Sequence, residues 1–422
     1  MRRNKLAGIV CVLCAAVLAF GVLGIRYISG RVDDPVMTVN DDDKALSKEA
    51  DEQGSLNLAA KAAVLVDAET GTVIYKQNAH KELPPASVTK IMTMLLTMEA
   101  VDAGKVKLSD KVTISERAAS MGGSQMYMEV GETHTLEELL EGIAIVSAND
   151  ACVAVSEYIA GSEEVFVEKM NERAAALGMR DTHFVNTNGL PVADHYTSAY
   201  DIALMSQRLL KFDHTREWFN TWQKTIKVGL PGKEKEFGLT NTNKLIRQYP
   251  GANGIKTGFT AEAGYCLSAS ATKDETTLIA VVLGAETSKT RNAEIAKLLN
   301  YGFANYKSVV LAEKNQKMKK VRLTKGDPEF VNAITTSRIT AFIAKSGAST
   351  ATGEVPGGEA KCKVTISDGI KLPLKKGSKI GKATVYVGKE KVGEYDLVSD
   401  RNAGKASFFT YCTRVIKGLF NR

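Results

Sequence analysis

The chain has 422 residues, 44% of them hydrophobic and 24% charged, with a formal net charge of +7. That length accommodates two folded domains with a large core, and that composition excludes wholesale disorder. Residues 1–31 hold five basic residues (Arg2, Arg3, Lys5, Arg26, Arg31) and no acid, which leaves +2 for the remainder; a nucleic-acid footprint, and so a nucleic-acid partner, has little support.

In chain order, "MRRNK" leads into an uncharged apolar run from Leu6 to Ile25. A basic start followed by such a run is an export signal, and the run is about long enough to span a bilayer as a helix. "VLA" ending at Ala19 would serve as a cleavage site, so residues 1–31 read as either a cleaved signal peptide or a retained membrane anchor. The positive start places the chain after Arg31 outside the cytoplasm. Residues 32–56 are polar and acidic and read as a flexible tether.

From Ala62 the text changes. "AAVLVDAETGTVIYKQN" gives two apolar runs around "ETG", a predicted hairpin. A helix is expected from about Ser87 to Ala103. In "THTLEELLEGIAIV", Thr135 and Glu138 have capping-box spacing and predict a helix start. Residues 149–178 and "SAYDIALMSQRLL" read as helical. "GYCLSASATKDETTLIAVVLGA" predicts two strands joined at "KDE", and "RNAEIAKLLNYGFANY" a closing helix. Residues 57–307 therefore read as one α+β domain, strands at its ends sharing a sheet and helices between them.

Residues 308–403 read as a small all-β domain, from short runs such as "KVRLT", "RITAFIAK", "KCKVTI", "KATVYVG" and "KVGEYDLV" between Gly, Lys and Asp turns. It gathers no obvious chemistry and reads as a spacer or interaction module. Residues 404–422 place Phe408, Phe409, Tyr411, Cys412, Val415, Ile416, Leu419 and Phe420 on one half of a helical wheel and Thr410, Thr413, Arg414, Lys417 and Asn421 on the other. Such a helix either lies on a membrane surface or docks on the β domain, and its terminal position and basic flank favour the membrane.

Six cysteines are present: Cys11, Cys14, Cys152, Cys266, Cys362 and Cys412. Cys11 and Cys14 fall in the export segment; the other four are far apart and show no metal or redox spacing, and Cys152 and Cys266 sit in apolar text that predicts burial. The five histidines form no H-E-x-x-H, and no G-x-S-x-G elbow occurs, so zinc peptidase and α/β-hydrolase chemistry are set aside.

Three short patterns carry chemistry. Ser87 and Lys90 in "PASVTKIMT" fall one turn apart on a helix whose "IMTMLLTM" is apolar nearly all round. A serine hydroxyl needs a base, and a lysine becomes one when desolvation or neighbouring positive charge lowers its pKa. Alone, the same residues read more readily as an ordinary helix N-cap with a snorkelling lysine than as a catalyst. Ser147 and Asn149 follow in "VSAND", then Lys256, Thr257 and Gly258 in "NGIKTGFT".

In this order the three patterns resemble the S-x-x-K, S-x-N and K-T-G motifs of the penicillin-recognising serine acyltransferases. "GGSQMYMEVGE", "FVNTNGL" and "GIKTGFTAEAGYCLSASA" extend the likeness, from about Leu58 to Tyr306, to the low-molecular-mass penicillin-binding proteins, the exported serine-type D-alanyl-D-alanine carboxypeptidases. The β-rich tail and terminal helix resemble that family's architecture more loosely.

The resemblance implies a penicillin-binding/β-lactamase-like transpeptidase domain, an antiparallel sheet with a helical cluster. It implies peptidoglycan stem peptides and β-lactam antibiotics as partners, no cofactor and no metal. Carried over, Ser87 is the nucleophile and Lys90 its base. Ser147 relays a proton, while Asn149 holds the substrate amide and helps orient Lys90. Lys256 and Thr257 meet the substrate carboxylate, with Lys256 as a fixed positive charge that keeps Lys90 neutral. Gly258 permits close approach, and the N–H groups of Ser87 and Phe259 form the oxyanion hole. Arg291 is placed near the carboxylate, with a surface arginine as the alternative. A serine β-lactamase shares the motifs, but no E-x-x-L-N lies between Ser147 and Lys256. A non-catalytic wall-associated scaffold is the third reading.

Overall fold

The computed structural model describes residues 56–346, 355–410 and 412–414. The expected export segment, nearly all of the tether, and the last residues of the terminal helix lie outside the described residues.

The apolar runs around "ETG" form a hairpin, β1 (Ala62–Asp67) and β2 (Val73–Gln77), its turn resting on Gly71 at φ 75°. Next comes helix α1 (Lys90–Asp102). Two short strands, β3 (Lys111–Thr113) and β4 (Thr133–Thr135), pair just before α2 (Leu136–Ile145). The capping box is present: the Glu138 N–H donates to Thr135 Oγ1, and the Thr135 N–H to Glu138 Oε2. Helices α3 (Asn149–Ala160) and α4 (Glu163–Ala176) are separated by Gly161 at φ 87°. They are followed by α5 (Ala199–Leu209) and α6 (Asp213–Asn220). The hairpin of β5 (Gln223–Val228) and β6 (Lys235–Thr240) has no counterpart in the sequence reading, because its strands alternate charged and neutral residues and bury little.

The chain then returns to the first sheet with β7 (Ala252–Thr260), β8 (Gly264–Lys273) and β9 (Thr276–Ala285), ending in the long helix α7 (Ser288–Asn305). The sheet order is β2-β1-β9-β8-β7, antiparallel throughout. Its central strands are covered on both faces, so "TTLIAVVLGA" is continuously apolar rather than alternating. Val64, Val66, Ile279 and Val281 join the core of the helical cluster. Their neighbours Ala63, Leu65, Leu278, Ala280 and Val282 pack with Ile295, Leu298 and Leu299 of α7. Period-2 side-chain direction thus divides one sheet between two cores.

From α7 the chain passes directly into β10 (Tyr306–Ala312). Strands β11 (Lys317–Arg322), β12 (Gly326–Asp327), β13 (Phe330–Thr335), β14 (Ile339–Ala344), β15 (Ala360–Ile366), β16 (Lys379–Val387), β17 (Glu390–Ser399) and β18 (Gly404–Lys405) complete the β-rich part. A five-stranded sheet runs β11-β13-β17-β16-β15, and β10 pairs with β14. A separate apolar core, including Val331, Ala333, Ile380, Val385 and Leu397, holds it together. At its join with the first sheet, the Arg338 guanidinium meets Glu69, Glu275 and Glu313, and Ser308 Oγ donates to the buried Asp67 carboxylate.

Cys152 and Cys266 are buried free thiols, as their apolar neighbours predict. Of the terminal helix, the described residues include Phe408 and Phe409, 76% and 81% exposed. Arg414 Nη1 donates to the Gly326 carbonyl, 2.5 Å away, and the guanidinium lies near Asp327 and Glu329.

Candidate active site

Pro84 and Pro85 deliver the chain into a single 3-10 turn, Ala86–Thr89, and the α-helix begins only at Lys90. The helical stretch expected from about Ser87 to Ala103 is present over residues 86–102, its first turn 3-10 rather than α. Ala86 stands at φ 48°, a left-handed conformation that costs a non-glycine residue of order 1 kcal/mol or more. Neither the turn nor the helix has a side-chain cap. Ser87 is therefore no N-cap, and its hydroxyl is left for another partner.

That partner is Lys90, whose Nζ lies 2.8 Å from Ser87 Oγ. The same amine donates to the Asn188 carbonyl at 2.6 Å. Lys90 is fully buried, and that burial lowers its pKa to about 8 against the opposing pull of Cys152 and Asp150. The apolar helix around it is the cause, since a buried ammonium loses its hydration.

Ser147 lies between the C-terminus of α2 and the start of α3, at φ 65°, buried, and its Oγ has no hydrogen bond among the described residues. Asn149 is held from both ends: its N–H donates to Ser124 O at 2.7 Å and its carboxamide to Gly122 O at 2.6 Å. The expected contact of Asn149 with Lys90 is not among the hydrogen bonds of the described residues. The Asn188 carbonyl orients the amine instead. Asp150 secures the segment above: its buried carboxylate accepts from the N–H groups of Met126 and Ala151, at 3.0 and 2.9 Å. Burial nevertheless raises its pKa.

β7 brings the third motif alongside. Lys256 is buried, and its Nζ donates to the Thr257 carbonyl at 3.2 Å. Thr257 Oγ1 lies 2.8 Å from Thr242 Oγ1. At Gly258 a β-carbon would meet Pro85 O at 2.8 Å and Ser87 N at 3.1 Å, so only glycine lets this strand lie against the nucleophile's turn. Phe259 is half exposed and packs on Tyr265, ring centroids 4.3 Å apart. Arg291 is no surface arginine: it is buried on α7, donating to Asn292 Oδ1 and to the Cys266 carbonyl. Burial lowers its pKa.

Two buried amines beside each other modify the expected electrostatics. Lys256 is pushed well below the ordinary lysine range, first by burial and then by the charge on Lys90. The expectation of a permanently charged Lys256 keeping Lys90 neutral is thus too simple. Both amines are hard to protonate here, and a proton on one opposes a proton on the other.

The loop at residues 186–190 was not singled out from the sequence as chemistry. Asn186 Oδ1 accepts from the Gly189 N–H at 2.7 Å, Thr93 Oγ1 donates to the Thr187 carbonyl at 2.6 Å, and Thr187 Oγ1 donates to the Glu163 carboxylate at 2.8 Å. The sequence signals for it are the turn chemistry of "NTNG" and its place within "FVNTNGL", one of the stretches that carry the family likeness. No cluster of His, Cys, Asp and Glu among the described residues could hold a metal.

A family profile described as D-alanyl-D-alanine carboxypeptidase matches residues 47–287, and one described as the C-terminal domain of penicillin-binding protein 5 matches residues 306–405. The D-alanyl-D-alanine carboxypeptidase DacF of Bacillus subtilis is 44% identical over 357 residues, covering 85% of this chain and 89% of that one. The solved structure of penicillin-binding protein 5 from Haemophilus influenzae superposes with a TM-score of 0.63 at 29% identity, over 83% of this chain and 98% of that one. The Streptomyces K15 DD-transpeptidase matches with a TM-score of 0.56 at 30% identity, over 59% of this chain and 98% of that one.

Proposed function

The chain belongs to the D-alanyl-D-alanine carboxypeptidase family, and from that premise we propose that it hydrolyses the terminal D-alanyl-D-alanine bond of peptidoglycan stem peptides through an acyl-enzyme on Ser87. The observation that carries this reading is the 2.8 Å contact between Ser87 Oγ and a fully buried Lys90 amine. With its pKa at about 8, about a tenth of that amine is neutral at pH 7, a few hundredfold more than for an ordinary lysine, and the neutral form accepts the serine proton as the hydroxyl attacks the carbonyl.

The carbonyl electrons move onto oxygen, toward the N–H groups of Ser87 and Phe259. Collapse expels the terminal D-alanine, whose nitrogen takes a proton by way of Lys90 and Ser147. The free Ser147 hydroxyl suits that relay. Water then attacks the Ser87 ester and frees the shortened peptide. A β-lactam amide opens by the same first step and leaves a penicilloyl ester on Ser87.

The substrate carboxylate meets Lys256, Thr257 and Arg291. An anion arriving beside Lys256 and Arg291 offsets part of the cost of holding charge there, so binding favours the protonated form of Lys256. Asn149, fixed by Ser124 and Gly122, holds the substrate amide.

We further place the enzyme outside the cytoplasm, at the membrane surface and facing the wall. Three observations support this. The first 31 residues have the pattern of an export segment. Lys and Arg outnumber Asp and Glu by 23 to 10 in residues 306–422. Phe408 and Phe409 project into solvent while Arg414 of the same segment turns back to the β-rich part. Among the described residues no helix is long and apolar enough to cross a membrane; the amphipathic pattern of residues 404–422 suits an interfacial attachment.

Incubating the full chain with a D-Ala-D-Ala-terminated peptide and with benzylpenicillin, while following D-alanine release and intact mass, tests the function. D-alanine release with a long-lived penicilloyl adduct is expected. Rapid penicillin turnover without an adduct would make it a β-lactamase, and neither reaction would leave a scaffold. Ser87→Ala must abolish both release and adduct.

A further inference from the structure

A buried hydrogen-bond chain ends on the peptide unit that carries the nucleophile. His195 is buried and sits 2.8 Å from Thr89 through Nε2, while its Nδ1 accepts from the Val185 N–H at 3.0 Å. A backbone N–H can only donate, so Nδ1 is unprotonated and Nε2 carries the hydrogen. Burial and the nearby His183 keep the ring neutral, with a pKa lowered to about 4. Nε2–H therefore donates to Thr89 Oγ1, and the Thr89 hydroxyl donates to the Ala86 carbonyl at 2.9 Å. Thr89 and His195 are both fully or nearly fully buried, so neither bond competes with water.

The Ala86 carbonyl shares a planar trans peptide with the Ser87 N–H, and in such a unit C=O and N–H point in opposite directions. Fixing one aims the other. Ala86 itself is at φ 48°, a conformation that persists only when its surroundings hold it. Gly189 closes the other side, since a β-carbon there would lie 1.8 Å from the same carbonyl oxygen.

We propose that His195 and Thr89 are positioning residues for the oxyanion hole: they act through the Ala86–Ser87 peptide to aim its N–H at the developing oxyanion and to polarise it as a donor. This rests on the assignment of Ser87 given above. Donation into the carbonyl draws electron density toward oxygen and leaves the amide hydrogen more positive, the cooperative strengthening of a hydrogen-bond chain. Neither side chain touches substrate or exchanges a proton with it. Both acylation and deacylation pass through an oxyanion, so both depend on the relay, whereas ground-state binding does not.

Thr89→Val keeps the volume and removes the hydroxyl, and His195→Met removes the ring donor. Expected are acylation and deacylation slowed by the same factor, about tenfold or more, with KM for the peptide little changed. The ester carbonyl stretch of the penicilloyl adduct should shift to higher wavenumber, reporting a weaker hole. Thr89→Ser and His195→Gln, which keep a donor, should recover most of the loss. The double variant should be no slower than the worse single one. Wild-type rates and an unshifted band in Thr89→Val, measured well below its Tm, overturn the proposal. So does a loss confined to KM or to stability. Should Thr89→Val not fold, His195→Met against His195→Gln carries the same comparison. A wild-type chain that forms no adduct at all refutes the Ser87 reading itself rather than the relay.

Discussion

Gly189 crosses so close to Ala86 that any side chain at 189 would collide with the Ala86 carbonyl oxygen, a β-carbon falling 1.8 Å from it. Gly189 is at φ 83°, so a side chain there is strained as well as crowded. Gly189→Ala is expected to cost about 2 kcal/mol or more of stability and to slow acylation. Displacing the loop moves the Asn188 carbonyl that holds Lys90. Thermal denaturation and penicillin acylation kinetics check both halves; a variant as stable and as fast as the parent would refute the contact.

The lowered pKa of Lys90, about 8, sets a pH dependence. The base must be neutral, so the acylation rate by benzylpenicillin should rise with pH through about 8 and level off above it. Stopped-flow measurement from pH 6 to 9.5 decides this, and a flat profile would remove Lys90 as the base. Stability has its own sign. Between about 8 and the unfolded value of about 10.4 the unfolded chain binds a proton that the folded chain does not, so stability rises with pH there, by at most about 1.4 kcal/mol per pH unit. Lys90→Met should lessen that rise; Lys256, lowered in the same direction, retains part of it.

Asp67 provides the opposite slope. Burial raises its pKa to about 6 despite hydrogen bonds from the N–H and hydroxyl of Thr70. Between about 4 and 6 the folded chain therefore holds a proton that the unfolded chain has lost, and stability falls as pH rises through that window. Asp67→Asn should flatten part of this fall and leave the protein about 1 kcal/mol or more stabler at pH 7. Asp201, also raised to about 6, keeps the rest. Urea midpoints at pH 4.5 and 7 measure it; an unchanged difference between them would contradict the burial of a charged Asp67.

Asp150 has a mechanical task. Its carboxylate gathers the N–H groups of Met126 and Ala151, one on the segment that holds Asn149 through Ser124 and Gly122. Asp150→Ala orphans these donors and should cost about 1–3 kcal/mol. It should also raise KM for the peptide, since Asn149 loses its frame. Unfolding curves and steady-state kinetics test this, and an unaltered KM would detach the loop from substrate binding.

What the sequence disclosed was mostly local or periodic. The capping box at Thr135 and Glu138, the hairpin at "ETG" and the strand pair at "KDE" each follow from short-range rules, and each is present. The order of the three motifs was enough to bring Ser87, Lys90, Ser147, Asn149 and Lys256 under suspicion. Three features stayed hidden for physical reasons. The positive φ of Ala86, on a turn that Gly189 and Gly258 approach closely from distant segments, leaves no mark in the local text. The hydrogen bond from Lys90 to the Asn188 carbonyl involves main chain, which residue identity does not reveal. The mutual burden of the Lys90 and Lys256 charges depends on burial, and no pattern of letters conveys depth. Strands β5, β6, β10 and β13 escaped because their apolar alternation is weak or is broken by charge.

The sheet's order has a consequence for timing. β1 pairs with β9, Ala62 with Leu283 across more than two hundred residues of chain, and the strand that sets Gly258 against the nucleophile's turn belongs to the same late run of antiparallel strands, β7, β8 and β9. Contacts so distant in sequence form slowly and only when both partners are present. A chain threaded through a membrane from its N-terminus would expose Ser87 well before residue 285 emerged. Its hydroxyl would then have neither a dry lysine nor a fixed turn. On that order the nucleophile stays unarmed until β7, β8 and β9 have arrived, with the β-rich part still to follow.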